Sequence, residues 1–169
     1  NKLDREGRNP FDILDELEAE LKIAVRPLSW PINIGQKFKG VYNIYEHTLD
    51  LFKPDKQKVS ERVEIDDVND PRIDAEVGES DAAQLREDLE LIEGVYPEFD
   101  KEEYLRGKLA PVFFGSALNT FGVKELLDCF VEIAPSPRPV EAVERRVNPD
   151  EESFSGFVFK IHANMDPNH

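Results

Sequence analysis

The feature that most narrows the fold is a short apolar run, Ala110–Phe114, followed by Gly115-Ser116-Ala117. Next comes a segment with Val123, Leu126, Leu127, Phe130, Val131 and Ala134 apolar at helical spacing. A buried strand, a turn and an amphipathic helix form the repeating step of an α/β sheet. Pro135 ends that helix, since proline cannot continue it. Near the start of the chain another helix needs a sheet to cover. Asn9 reads as its N-cap, Pro10 as its first residue and Asp12 as lying near N3. Phe11, Leu14, Leu17 and Leu21 then fall on one face, at spacings of three and four.

Between these parts, from about Ala24 to Lys108, the texture changes. Ala24–Ile34 is apolar but broken by Pro27 and Pro31. Gly40–Tyr45 and Thr48–Phe52 read as two strands joined around Glu46-His47, and Val59–Ile65 as a third. Asp66–Glu79 is an acidic loop or one short helix. Ser80 is expected to cap a helix with Ala82, Leu85, Leu89 and Ile92 inward and Gly94 at its end. Asp100 and Glu103 form a capping-box pattern for a short helix that ends by Gly107. Together these make an α+β unit of the size of a small domain.

Beyond Pro135, the prolines at 135, 137 and 139 and the polar stretch to Glu152 read as a semi-rigid linker. From Ser153 to Ala163, Phe157, Phe159 and Ile161 alternate with Gly156, Val158 and Lys160, which predicts a strand. Both ends of the sequence read as cut from a longer chain.

Charge and composition limit the partners. With a formal net charge of −15 over 169 residues, the chain repels phosphate backbones, and direct nucleic-acid binding is not expected. No apolar run reaches the roughly 18–20 residues that span a bilayer, so no membrane contact is expected. The one cysteine, Cys129, sits among Leu127, Phe130 and Val131 and reads as core. A single thiol rules out a disulfide framework and fits a reducing, cytoplasmic compartment.

The residues that carry chemistry open the chain. Asn1-Lys2-Leu3-Asp4 fits an Asn-Lys-x-Asp pattern. An ionised carboxylate at Asp4 can accept hydrogen bonds from both N1–H and the exocyclic amino group of guanine. Adenine offers neither there and leaves the carboxylate unpaired, at a cost of a few kcal/mol. Lys2 can lay its methylene stem along a base, and the Asn1 amide can brace the loop or reach the purine edge. Three fixed positions recur by chance in about one chain in fifty of this size, so context decides. Ser116, Ala117 and Leu118 supply that context. They follow an apolar run and precede an amphipathic helix, downstream of Asn-Lys-x-Asp.

Asn1-Lys2-Leu3-Asp4-Arg5-Glu6-Gly7-Arg8 resembles the translational GTPases, a family that includes elongation factor G. The bacterial release-factor branch of that family is resembled by four further segments. They are Leu28-Ser29-Trp30-Pro31-Ile32, Phe38-Lys39-Gly40-Val41-Tyr42, Pro111-Val112-Phe113-Phe114-Gly115-Ser116-Ala117-Leu118, and Phe157 to Pro167. The resemblance covers essentially the whole chain. It implies an α/β fold: the C-terminal part of a P-loop GTPase domain, with an inserted α+β subdomain and the first strand of a following β-barrel domain. The expected division is GTPase domain at 1–26 and 109–140, insert at 27–108, and linker with barrel start at 141–169.

The resemblance also implies function. GTP or GDP with Mg2+ is the cofactor of the whole protein, with the base held by Asn1, Lys2, Asp4, Ser116, Ala117 and Leu118. An amide of the Ser-Ala turn is expected to face guanine O6. The implied activity is ribosome-dependent GTP hydrolysis that drives class I release factors off the ribosome at termination. The insert is a possible contact for a large-subunit stalk protein. A translocation GTPase like elongation factor G, and a non-enzymatic ribosome-interaction module, remain alternatives.

A phosphate loop needs Gly-x4-Gly-Lys-Ser/Thr. Gly35 and Gly40 have the spacing, but Val41-Tyr42 follow. Asp4-Arg5-Glu6-Gly7 mimics a switch motif, yet Asp4 already has the base-reading role. The phosphate loop, switches and Mg2+ ligands are therefore expected upstream. These residues alone are expected to bind nucleotide weakly or not at all and to hydrolyse none, so no catalytic residue is assigned.

No metal-ligand spacing links His47, His162, His169 and Cys129, so no metal site is assigned. The acidic run Asp66, Asp67, Asn69, Asp70 and Asp74 lacks the glycine and glutamate of a Ca2+ loop. Trp30 is expected to pack under the insert rather than serve as an exposed partner anchor.

Overall fold

The structure is a computed structural model that describes residues 1–52, 61–65 and 67–161. It is a mixed α/β chain that divides into two compact units, Asn1–Ala134 and Pro135–His169.

The first unit begins with helix α1 (Pro10–Leu21), capped as expected: the Asn9 side chain accepts from the Phe11 N–H at 2.9 Å. Lys22 ends the helix in the left-handed region. Glu18, in its last turn, reaches forward to accept from Val25 N–H at 2.9 Å, fixing where the next strand starts. That strand, β1 (Ala24–Pro27), runs parallel to β6 (Leu109–Val112), with Val25 opposite Ala110. Nothing local in the sequence marks this pair. Pro27 ends β1, the chain turns at Leu28, and the sequence up to Lys108 lies between the two partners.

The intervening residues form an antiparallel sheet in the order β2-β3-β4-β5: Ser29–Ile32, Gly40–Asn43, Thr48–Leu51 and Glu61–Glu64. Register places Trp30, Tyr42, Leu49 and Val63 side by side on one face. The opposite face is more polar, with Ser29, Asn43, Thr48, Asp50 and Arg62 beside Pro31 and Val41, and its residues in β2 to β4 are buried as well. The covering helices are α2 (Pro71–Val77) and α3 (Glu79–Val95), which bury Ile73, Val77, Ala82, Leu85, Leu89 and Ile92. Trp30 is 1% exposed, packs between Phe11 and Phe114, and donates its Nε1–H to Asp88 at 2.8 Å. It is a core residue.

The turn between β3 and β4 is made by Asn43, whose side-chain oxygen accepts from Tyr45 and Glu46 N–H at 3.0 Å each. Its last residue, His47, is left-handed. The expected strand at Val59–Ile65 is present from Glu61; its first two residues lie outside the described ones. Ser80 does not cap α3. Asp70 caps α2 instead, and α3 follows directly across Gly78, so Ser80 falls inside the helix. Gly94 is also inside, and Tyr96 ends it. Helix α4 (Lys101–Leu105) has the expected cap: Asp100 accepts from Glu102 and Glu103 N–H.

After β6 comes α5 (Val123–Ile133), which buries Cys129 and Ile133 against Leu28, with Tyr45, Phe99, Tyr104 and Phe113 around them. Cys129 is thus core, and burial pushes its thiol pKa up. Leu127, Phe130 and Val131 on the same helix are exposed.

The second unit departs from the sequence reading. Part of the expected linker forms a small hairpin, β7 (Val140–Glu141) with β8 (Arg146–Val147). Arg145 then holds Glu151 through both carboxylate oxygens at 2.6 and 2.8 Å. Residues 153–161 form no strand, although their side chains alternate as one would. A strand needs a hydrogen-bonded neighbour, and none is present among the described residues. The rest of the Phe157-to-Pro167 segment, His162 onward, lies outside them. No barrel closes among the described residues.

Candidate functional site

Two loops 112 residues apart meet. The first, residues 1–6, bends sharply: Lys2 takes a φ of 68°, and Arg5 N–H donates to Lys2 C=O at 3.0 Å. The bend buries Leu3 in the core and leaves Lys2 exposed and Asp4 half-buried. Leu3 C=O accepts from Gly35 N–H at 2.8 Å, which pins the loop to the sheet unit.

The second loop joins β6 to α5. Ser116 and Phe121 exchange two backbone hydrogen bonds, at 2.9 and 3.0 Å, and a short 3-10 turn (Ala117–Asn119) closes the loop between them. The closure demands glycine on both flanks. A Cβ on Gly115 would stand 2.5 Å from the Phe121 carbonyl oxygen. One on Gly122, whose φ is +72°, would stand 2.6 Å from that of Phe114.

The contacts between the loops are specific. Ser116 donates its hydroxyl to Asp4 Oδ1, and Asn119 Nδ2 donates to the same Ser116 oxygen at 2.8 Å. Ser116 is fully buried, so its hydroxyl has nowhere else to turn. Asn1 Oδ1 accepts from Ala117 N–H at 3.0 Å and from Lys2 N–H at 2.8 Å. Leu3 N–H donates to Gly115 C=O at 3.4 Å.

All six residues singled out from the sequence are therefore at this junction. Asn1, Lys2, Ala117 and Leu118 are exposed, and the Asp4 side chain is 21% exposed. The Ser116 hydroxyl, and to a smaller extent the Arg5 guanidinium at 4.0 Å, hold the Asp4 carboxyl below its ordinary pKa. It is ionised at neutral pH and an acceptor only, and its Oδ2 is the oxygen that Arg5 approaches.

One detail differs from expectation. The Ala117 amide, expected to face a base carbonyl, already donates to Asn1. The Asn1 side chain thus braces the loops with its oxygen, while its Nδ2 has no partner among the described residues. Sequence reasoning also passed over Asn119, which fixes the Ser116 hydroxyl. A polar residue three positions after the serine, inside a tight turn, was the available signal.

A cavity of about 590 Å³ lies nearby, between Glu6, Trp30–Ile32, the 33–37 connection and α3. None of the six residues lines it. Among the described residues no group of three or more His, Cys, Asp or Glu is placed to hold a metal ion. No described helix is long and apolar enough to cross a membrane. No protein-family model matches the chain.

Proposed function

We propose that this chain supplies the guanine-reading part of a ribosome-dependent GTPase of the bacterial peptide chain release factor 3 type, which clears class I release factors from the ribosome at termination. The observation that carries the reading is the Ser116–Asp4 hydrogen bond across the two loops. It leaves an ionised, partly exposed carboxylate beside a backbone-amide turn, the donor-and-acceptor arrangement a guanine edge requires.

The residues fit the group they would hold. Asp4 presents Oδ2 to N1–H and the amino group of the base. Ser116 and Asn119 keep the carboxylate aimed and charged. Lys2 offers its apolar stem to a base face. Asn1 and the Ala117 amide lie where a carbonyl oxygen such as O6 would find a donor. The nucleotide, when bound with Mg2+, supplies the phosphoanhydride whose hydrolysis drives the cycle. The phosphate-binding loop is not among these 169 residues, so this chain contributes specificity and not chemistry. In the same reading β1 and β6 belong to the GTPase sheet, and β2 to α4 form the insert offered to a large-subunit stalk protein.

The test is a nucleotide titration on the protein that includes the phosphate loop. It should bind GDP and discriminate strongly against ADP. Asp4→Asn should lower GDP affinity about 100-fold or more. It should also favour xanthosine diphosphate, whose C2 oxygen can accept from the new amide. Equal binding of GDP and ADP by the unaltered protein would overturn the assignment.

A further inference from the structure

The two loops are not held together by each other alone. Phe121, whose backbone carries both hydrogen bonds to Ser116, has its ring 3% exposed. That ring stands edge-on to Phe38 and Phe52, each at 5.4 Å between centroids and at 86° and 85°. Phe38 and Phe52 lie 5.0 Å apart. Both belong to the sheet unit, at the two ends of the β3–β4 hairpin.

Phe38 also ends the short 3-10 turn between β2 and β3, and that turn begins at Gly35, the donor to Leu3 C=O at 2.8 Å. One short stretch, 35–38, thus touches both loops, the first by a hydrogen bond and the second by a ring. It is itself locked to the sheet: Lys39 N–H donates to Ile32 C=O at 3.0 Å, and Phe52 N–H to Lys39 C=O at 2.7 Å.

We propose that Phe121, clasped by Phe38 and Phe52, is a positioning residue for base recognition, through which the four-stranded sheet sets the geometry of Asp4 and Ser116. This rests on the guanine reading above. Edge-to-face rings favour defined mutual orientations, whereas aliphatic packing constrains volume more than angle. A tilt of the Phe121 ring moves its backbone, then the Ser116 hydroxyl, then the Asp4 carboxylate. The sheet unit is in this view part of the specificity apparatus.

The test compares Phe121→Leu with Phe11→Leu, which removes a different, partly buried ring, one tilted against Trp30 at 4.5 Å. In this chain, an NMR titration of Asp4 should show its pKa rising toward the ordinary value in Phe121→Leu but not in Phe11→Leu. In the protein with its phosphate loop, the readout is the preference for GDP over inosine diphosphate, which lacks the amino group that Asp4 reads. That preference should fall about tenfold in Phe121→Leu and stay within about twofold in Phe11→Leu.

If Phe121→Leu fails to fold, Phe52→Leu, at the half-buried member of the clasp, serves the same comparison. An unchanged titration and an unchanged preference in the clasp variant would overturn the proposal. If the titration moves but the unaltered protein prefers neither nucleotide, the clasp stands and the guanine reading falls.

Discussion

Under the proposed function the Asp4 carboxylate must stay charged, and its contact with Ser116 keeps it so. The Ser116 hydroxyl depresses its pKa, so the interaction is intact at neutral pH and weakens only as pH falls through that lowered value. Asp50 has the opposite environment. It is 3% exposed on the polar face of the sheet, and burial, aided by the Glu125 charge, pushes it up to about 6 against the pull of Arg62. The folded state therefore keeps a proton there that the unfolded chain has released. Its contribution to stability is complete below 3.8 and is lost as pH rises through about 6. The loss is on the order of 2–3 kcal/mol. Asp50→Asn should flatten this part of the profile, raising stability at neutral pH relative to the unaltered chain. Denaturant unfolding across that pH range checks it, and parallel profiles for the two proteins would clear Asp50 of the role. Asp4 could be singled out because its neighbours in sequence form a pattern. Asp50 could not: the β3–β4 hairpin was legible, but the burial of the face that carries Asp50 was not.

At the scale of elements, the turn from β6 to α5 is set by two glycines packed back to back. Gly115→Ala places a methyl group 2.5 Å from the Phe121 carbonyl oxygen. The loop must open to admit it, at a cost of about 1–3 kcal/mol. A lowered unfolding midpoint, with the Ser116 amide losing protection in hydrogen exchange, is the expected outcome. Helix caps and apolar faces were legible beforehand: Asn9, Asp100 and the Leu85–Leu89–Ile92 face each announce themselves within one or two turns. The β1–β6 pair was not, because its partners are 85 residues apart and parallel strands carry no hairpin signal. The alternation at 153–161 misled for the complementary reason. Pattern shows which side chains could share a face, but a strand exists only where another supplies the hydrogen bonds. The candidate site was legible as two separate motifs, and their meeting depended on that hidden parallel pair.

For the whole molecule, exposed apolar groups and a large negative charge act against each other. Phe154, Phe157, Phe159 and Ile161 are exposed in the second unit, as are Leu127, Phe130 and Val131 in the first. Such surface favours association, while a net charge of −15 opposes it until salt screens the repulsion. Light scattering should report a monomer at low ionic strength and self-association as salt is added. A mass independent of salt would show that neither surface is sticky.

The contact between Asn1 and the Ala117 amide carries a last consequence. If a base binds as proposed, the Ala117 amide it would meet is already engaged by Asn1, so an arriving carbonyl would replace that bond and not add one. Binding at that position is nearly an even trade. On that reading selectivity would fall on whichever visitor also satisfies the carboxylate alongside, and molecules that match only half of the edge would be turned away.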